Sequence, residues 1–371
     1  MAELNETPKA NRIHIAFFGL RNAGKSTLVN AFAGQDIAIV SDVPGTTTDP
    51  VSKAMEILPL GPCLLTDTAG LDDVGVLGEM RVKKALDVLA TTDIAVWVTG
   101  AASDDGGDFY GRFRAECRKH DVVMLEYRRG EDVEAFRRRV AAVKVVEATR
   151  PLIGDLVKEG DLVLLVCPQD GSAPRGRLIL PQQQTIREII DAGGVAQICQ
   201  PEALPALRRG GYTFAITDSQ AFGAVNAALP KDIPLTSFSI LFARAKGDLT
   251  LFCEGLSALK KLHDGDTVLV AEGCTHHRQC GDIGTVKLPK AVAKLTGRRF
   301  DFRFCSGGDF PLDTVRPKLV IHCGGCMLTR REMVRRIAAA HTAGVPITNY
   351  GLVLAAASGI EVDPATCMVR R

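Results

Sequence analysis

The sequence predicts an α/β protein with mainly parallel sheets, on three observations. Short apolar runs alternate with amphipathic, helix-like segments along most of the chain. One early run, "IHIAFF" (13–18), opens directly into "GLRNAGKST" and then into the helix-like "LVNAFAG". Two late runs, "DTVLVAEGCTHH" (266–277) and "KLVIHCGGCM" (318–327), lead into loops that carry cysteine and histidine. The 371 residues suit about two or three domains, and 46% hydrophobic with 24% charged residues is a globular composition. A net charge of +2 offers no basic field for nucleic acid or an anionic membrane. No apolar run reaches the roughly 18 residues of a spanning helix, and "MAELNETPKANR" lacks the apolar core of a secretion signal, so a cytoplasmic protein is expected.

The first domain is expected over residues 1–150. Strand, glycine-rich loop and helix in succession are the setting in which G-x-x-x-x-G-K-[ST] binds phosphate. Gly19, Asn22, Ala23, Gly24, Lys25, Ser26 and Thr27 form the loop and the helix start. Backbone N–H groups and the helix N-terminus would face the phosphates, Lys25 would reach the outer ones and Ser26 would hold Mg²⁺. "LLTDTAGLDD" (64–73) puts Asp67 at a strand end on the Mg²⁺ side, with Gly70 three residues on as a γ-phosphate sensor. "VPGTTTDP" (43–50) supplies a threonine for Mg²⁺, assigned to Thr47 with Thr46 and Thr48 as alternatives. This is a P-loop NTPase-like domain, and its order and spacing resemble the GTPase branch that contains Era and MnmE.

Two details bear on hydrolysis. Leu71 follows "DTAG" where other GTPases place a water-orienting glutamine. Asn22 stands where the resembling branch binds K⁺, whose charge could replace an arginine finger. The guanine-reading N-K-x-D is missing: the strand "DVVMLEY" (121–127) is followed by "RRGED", and no asparagine in the chain precedes a lysine. Only about two dozen residues lie between Tyr127 and Pro151, so the domain is expected to be shortened at its base-binding end.

Residues 151–236 read as a small parallel α/β unit. "LVLLVCP", "VAQICQ" and "YTFAITDS" are strands and "LPQQQTIREIIDAGG" (180–194) is an amphipathic helix with a glycine stop. Asp170, Asp218 and Ser219 follow strand ends, where turn and cap chemistry is the simpler reading. With no catalytic spacing, the unit is expected to serve dimerisation.

Residues 237–371 continue the alternation, with helices at "KLPKAVAKLTG" and "TRREMVRRIAAAHTAG" and a strand at "RRFDFRFCSGG". Of eleven cysteines, Cys63, Cys167, Cys199 and Cys253 sit in apolar segments and read as small buried residues. Cys274, Cys323 and Cys326 form C-x-H, 45 residues, then H-C-x-x-C. Should the two preceding strands be parallel neighbours, the three thiols meet at one carboxyl edge, where open sheets bind ligands. A Cys₃His zinc site, an iron–sulfur cluster and a redox dithiol all remain open on spacing alone. Residues i and i+2 of a strand share a face, so His276 lies on the side of Cys274 and is favoured as a fourth ligand. His322 is expected to point away from Cys323 and to act from behind it. Cys280 and Cys305 are read as structural.

Over nearly its whole length the chain resembles the HydF family, the GTPase-like maturation proteins of [FeFe]-hydrogenases. The resemblance rests on the P-loop, "GDLVLLV", "APRGRLILPQQQTIREI", "TDSQAF", "TSFSILFARAKGDL", "CTHH", "IHCGGCM" and "VPITNYG". It implies GTPase, dimerisation and cluster-binding domains, and a [4Fe–4S] cluster on Cys274, Cys323 and Cys326 with an exchangeable fourth iron position. It also implies a transient di-iron precursor made by radical-SAM maturases and passed to apo-[FeFe]-hydrogenase, with GTP/GDP, Mg²⁺ and K⁺ at the first domain. The missing N-K-x-D departs from the family pattern. Two rival readings are a zinc-stabilised regulatory GTPase that handles no cofactor, and a scaffold whose nucleotide domain no longer turns over. The P-loop asparagine generates a prediction: NTP hydrolysis is slow and is accelerated by K⁺ but not by Na⁺. Equal rates of phosphate release in the two salts would remove that role from Asn22.

Overall fold

The computed structural model describes residues 9–34, 51–71, 85–100, 107–144, 150–169, 176, 178–207, 211–273 and 283–370. Thr46, Thr47, Thr48, Asp170, Cys274, His276 and Cys280 lie outside the described residues. Tertiary contacts divide the chain into Met1–Ala148 and Thr149–Arg371.

The first unit runs β1 (Ile13–Phe18), α1 (Lys25–Ala33), β2 (Val51–Ile57), β3 (Gly61–Asp67), β4 (Ile94–Thr99), α2 (Gly107–Lys119), β5 (Val123–Arg128) and α3 (Val133–Ala141). Its sheet has the order β2-β3-β1-β4-β5. Only β2, against β3, is antiparallel; the other pairings are parallel. β1 from Ile15 to Phe18 and β4 from Ile94 to Val98 are continuously apolar because helices cover both faces of the sheet. On one face Phe17 packs edge-on to Phe32 of α1, which meets Phe136 of α3. On the other, Phe18 and Trp97 pack on Phe113 of α2. The Asp132 side chain caps α3 by accepting from the Glu134 and Ala135 N–H groups. Among the described residues the last strand of this sheet is β5.

The second unit contains two sheets. The first is built from β6 (Leu162–Val166), α4 (Leu180–Asp191), β7 (Val195–Cys199), β8 (Tyr212–Thr217), α5 (Phe222–Ala228) and β9 (Leu235–Ser237). Two helices follow, α6 (Phe238–Lys246) and α7 (Leu249–Leu259). The second sheet comes from β10 (Thr267–Glu272), α8 (Leu288–Thr296), β11 (Asp301–Ser306), α9 (Leu312–Val315), β12 (Leu319–His322), α10 (Arg330–Thr342), β13 (Ile347–Asn349) and α11 (Tyr350–Ala357). β9 runs across the 236/237 boundary expected from sequence.

Both sheets are entirely parallel and share one order, β7-β6-β8-β9 and β11-β10-β12-β13. Each therefore has one point where strand order reverses, between β6 and β8 and between β10 and β12. Crevices at the carboxyl ends of such strands are the natural ligand sites of open α/β sheets. One apolar core joins the two sheets, with Leu165 and Ile216 from the first and Leu269 and Val320 from the second. α6 is buried along most of its length, so its sequence "FSILFARAK" is apolar on nearly every side. Its one buried charge, Arg244, donates to Asp155 Oδ1 (3.0 Å) and to the carbonyls of Pro151 (3.2 Å) and Leu152 (3.4 Å). Among the described residues no helix is long and apolar enough to cross a membrane.

Close packing of α7 on β13 depends on Gly255: a Cβ there would lie 2.0 Å from the Ile347 carbonyl oxygen. The obstacle is backbone and cannot swing aside. Gly255→Ala is expected to lower the unfolding free energy by about 3 kcal/mol, at the upper end for overpacking. Denaturant unfolding checks it, and a change within about 0.5 kcal/mol, as for a neutral surface substitution, would show that α7 and β13 separate freely.

Candidate functional site

The first unit builds an anion cradle between β1 and α1. Gly19, at φ 151°, passes so close to β4 that a Cβ would meet the Val98 carbonyl oxygen at 2.5 Å. Asn22 is exposed in the left-handed region (φ 56°), and Gly24 ahead of the first turn has φ 95°. This curl leaves the helix N-terminus facing the loop, as anion sites require. Lys25 is buried and folds back, its Nζ donating to the carbonyls of Leu20 (2.8 Å) and Gly19 (3.3 Å). Ala23 is buried and Thr27 exposed.

The parallel pairing of β1 with β3 brings Asp67 to the same end of the sheet. Ser26 Oγ donates to Asp67 Oδ2 at 2.6 Å. Asp67 Oδ1 is buried without a hydrogen-bond partner among the described residues. Burial, opposed by the Ser26 hydrogen bond and the Lys25 charge, raises the Asp67 carboxyl above the ordinary range. A buried carboxylate oxygen beside a serine hydroxyl fits Mg²⁺. The chain then turns back on the loop, with the Leu71 N–H donating to Gly19 O at 3.2 Å and Gly70 buried beside it. After β5, "RRGED" places the Arg129 Cδ 3.7 Å from where a Cβ on Gly24 would lie.

In the second unit the β10–β12 register sets Ala271 against His322. The Cys323 N–H continues the ladder to Ala271 O (2.9 Å), and the Gly273 N–H donates to Cys323 Sγ (3.1 Å). A second N–H, from Gly325, reaches the same sulfur at 3.3 Å. Two backbone N–H groups aimed at one sulfur favour a thiolate and suit a soft-metal ligand. The backbone of Gly325, at φ 68°, favours glycine, and a Cβ on Gly324 would press on Ser239 of α6 at 3.2 Å.

Helix α6 also holds the other side of the loop. The Lys246 ammonium donates to the carbonyls of Gly325 (3.0 Å), Cys326 (3.0 Å) and Leu328 (2.6 Å) and lies 5.0 Å from the Phe242 ring centroid. Desolvation raises the Cys326 thiol, and the Lys246 charge opposes this. Asn349 Nδ2 donates to Cys323 O (3.4 Å), while its Oδ1 accepts from Ser239 Oγ (3.1 Å) and the Gly351 N–H (2.7 Å).

His322 is fully buried behind the loop. Its Nδ1 lies 2.8 Å from Cys323 O, which can only accept, so Nδ1 carries the proton. Its Nε2, 3.1 Å from an Arg336 nitrogen, is then the acceptor. Burial first and the Arg336 charge second push the imidazole down to about 4. Arg336 is itself fully buried; it donates to Glu332 Oε1 (2.6 Å) and to Gly307 O, and lies over the Phe310 ring at 5.2 Å. Both ring nitrogens of His322 are therefore engaged away from the Cys323 sulfur.

The described residues thus bring together Cys323, Cys326 and, behind them, His322. The first half of the pattern, Cys274 and His276, begins one residue beyond Gly273 and lies outside the described residues. Among the described residues no group of three or more His, Cys, Asp or Glu is assembled around one point. Cys305 is buried in β11 and its thiol is pushed up to about 11 by desolvation. Cys63 is buried, and Cys167, Cys199 and Cys253 are half-buried with thiols raised by desolvation. Asp218 accepts from Gln182 Nε2 (3.3 Å), and Ser219 meets Ser237 (3.2 Å) at the end of the first sheet.

Sequence reasoning missed Lys246, Asn349 and the Glu332–Arg336 pair. One signal was available for the last: the buried stripe of α10 is Glu332, Met333, Arg336 and Ala340, so charges occupy apolar positions of a helix.

Two family models match consecutive parts of the second unit: the hydrogen maturase F dimerization domain over residues 152–247 and the hydrogen maturase F tetramerization domain over residues 250–363. A third, described as a 50S ribosome-binding GTPase, matches residues 14–133. The tRNA modification GTPase MnmE of Jannaschia sp. (strain CCS1) is 32% identical over 164 residues, 41% of this chain and 38% of that protein. MnmE of Maricaulis maris (strain MCS10) is 34% identical over 168 residues, 42% of this chain and 37% of that protein. The chain therefore spans under two fifths of the length of either relative. Among solved structures, an Aquifex aeolicus Era variant bound to GDP and AlF₄⁻ is 14% identical, with a TM-score of 0.28 over 79% of this chain and 92% of that one.

The buried pair behind the loop yields a prediction. Arg336→Met leaves the Glu332 carboxylate and the His322 Nε2 without their shared donor, and is expected to cost about 3–5 kcal/mol of stability. Arg336→Lys should recover part of it. Urea unfolding of the three proteins checks this; equal midpoints would mean that the pair carries no structural role.

Proposed function

Because the chain belongs to the hydrogen maturase F family, with dimerization and tetramerization modules beside a GTPase domain, we propose that it is a scaffold and carrier in [FeFe]-hydrogenase maturation. In this reading Cys274, Cys323 and Cys326 hold a [4Fe–4S] cluster, and the chain accepts a di-iron precursor from radical-SAM maturases and delivers it to the apo-hydrogenase. The observation that carries the reading is the contact of the Gly273 N–H with Cys323 Sγ at 3.1 Å. Cys274 is the next residue in sequence after Gly273, which is why the reading adds it to Cys323 and Cys326.

When bound, the cluster would supply an iron with a replaceable ligand, since three cysteines leave one of its irons without a thiolate. The work of the protein residues is to hold and shield. Gly273 and Gly325 donate to the Cys323 sulfur, and Lys246 fixes the loop through three carbonyls. His322, with Nδ1 and Nε2 both engaged, keeps the loop backbone in place from behind, which leaves His276 as the proposed fourth partner.

In the first unit, Gly19 to Gly24 would wrap the phosphates of GTP or GDP. Lys25 would release its loop carbonyls to reach them, and Thr27 would lie at the helix start. Ser26 and Asp67, with Thr47, would hold Mg²⁺; Gly70 would sense the γ-phosphate; and Asn22 would place K⁺. Slow hydrolysis would then regulate partner release.

Reconstitution of the apoprotein with iron and sulfide under anaerobic conditions, followed by EPR of the reduced protein with and without cyanide, tests the proposal. A cluster signal that shifts with cyanide is expected. A signal that cyanide leaves unchanged would show a closed cluster, and stoichiometric zinc in the native protein with no cluster uptake would favour a zinc-stabilised GTPase instead.

A further inference from the structure

β11 lies at the edge of the second sheet of the second unit, in the order β11-β10-β12-β13. Edge strands are templates for pairing with another chain unless blunted by charged side chains that find no complement, by proline, by a bulge or by a cover. β11 has neither proline nor a bulge in its ladder with β10, which runs unbroken from Thr267↔Asp301 to Glu272↔Ser306.

The ladder fixes which backbone groups are turned outward. The Asp301 N–H donates to Asp266 O (3.0 Å) and the Gly307 N–H to Glu272 O (3.1 Å). Odd-numbered residues therefore face β10, and the N–H and C=O groups of Phe300, Phe302 and Phe304 face the open edge. Their rings line one face of the strand, with neighbouring centroids 6.3 and 6.5 Å apart, and Phe304 is 42% exposed. Asp301 and Arg303 occupy the other face, 3.0 Å apart, with side chains 46% and 61% exposed.

The stretch "FDFRF" reads as its own complement. We propose that β11 pairs antiparallel with β11 of a second copy of this chain, about a two-fold axis at Phe302, and that this pairing is the contact made by the tetramerization module. The proposal deepens the self-association reading and rests on it. With the axis at Phe302, Asp301 lies opposite Arg303 of the second copy, and Phe300 opposite its Phe304. The three outward residues then make about six backbone hydrogen bonds between the copies. An axis one residue either way destroys the match: at Arg303 it sets arginine against arginine, and at Asp301 aspartate against aspartate, both destabilising cross-strand pairs. Charge thus selects one register where the backbone alone would tolerate several. An isologous contact of this kind, added to a separate dimer contact, gives a closed four-chain assembly when the two two-fold axes cross at right angles.

Native mass spectrometry and light scattering of the full-length protein at matched concentrations test the proposal. The wild type is expected as a tetramer. Arg303→Asp, which sets two like-charge pairs in each contact, should shift it toward dimers and raise the tetramer dissociation constant on the order of tenfold. Asp301→Arg combined with Arg303→Asp restores both pairs and should restore the tetramer. Phe304→Pro removes an outward N–H while leaving the β10 ladder intact, and should also give dimers, with circular dichroism confirming the fold. A tetramer indifferent to Arg303→Asp and Phe304→Pro would overturn the surface while leaving self-association standing, as would a double swap no better than the single change. A wild type that never exceeds a dimer would overturn the surface and the four-chain assembly together, leaving only the dimer contact standing.

Discussion

The parallel pairing of β10 with β12 is the constraint on which the second unit's chemistry depends. Its register sets Ala271 beside His322, so the two chains leave the sheet together. From there the Gly273 N–H can only fall near the Cys323 sulfur, and the contact at 3.1 Å follows. The reversal of strand order between β10 and β12 opens the crevice, because the connections on either side run away from it. A shift of one residue would carry every side chain of β12 to the opposite face and break the contact of Gly273 with the Cys323 sulfur.

Helix α6 makes that crevice part of a larger mechanical unit. Lys246 at its C-terminal end grips the three carbonyls of the cysteine loop. Two residues earlier, and so on nearly the opposite side of the helix, Arg244, buried at 3% exposure, grips Asp155 and the carbonyls of Pro151 and Leu152, where the chain enters this unit from residue 149. A single buried helix thus ties the start of the unit to the loop of Cys323 and Cys326. Moving the helix away from Asp155 would strand the buried Arg244 cation, which costs about 3–5 kcal/mol.

Much of this was legible in the sequence because the signals were local. "IHIAFF" before "GLRNAGKST" specifies β1 and the cradle, and the αL glycines follow from the turn the loop makes. The alternation of strands and helices, with cysteines just beyond β10 and β12, points to one sheet edge; the strands end at Glu272 and His322, just short of the cysteines. The parts that were not legible are long-range. Lys246 reads as an ordinary lysine at a helix C-terminus, and only the packing of α6 under the loop, 79 residues away in sequence from Gly325, gives it three acceptors. Asn349 likewise acts through a side chain whose partners, Ser239 and Cys323, are distant in the chain. The buried arginine on α10 that engages the His322 ring from behind also lies beyond sequence reach, 14 residues away.

In the proposed function three specific thiols, Cys274, Cys323 and Cys326, hold one cluster. Iron content after anaerobic reconstitution tests this in three single variants, Cys274→Ser, Cys323→Ser and Cys326→Ser, beside Cys280→Ser and Cys305→Ser as controls. About four irons per chain are expected for the wild type and both controls, with loss of most of that iron in each of the three variants. Full iron in Cys274→Ser, or its loss in Cys280→Ser, would rule out this ligand set.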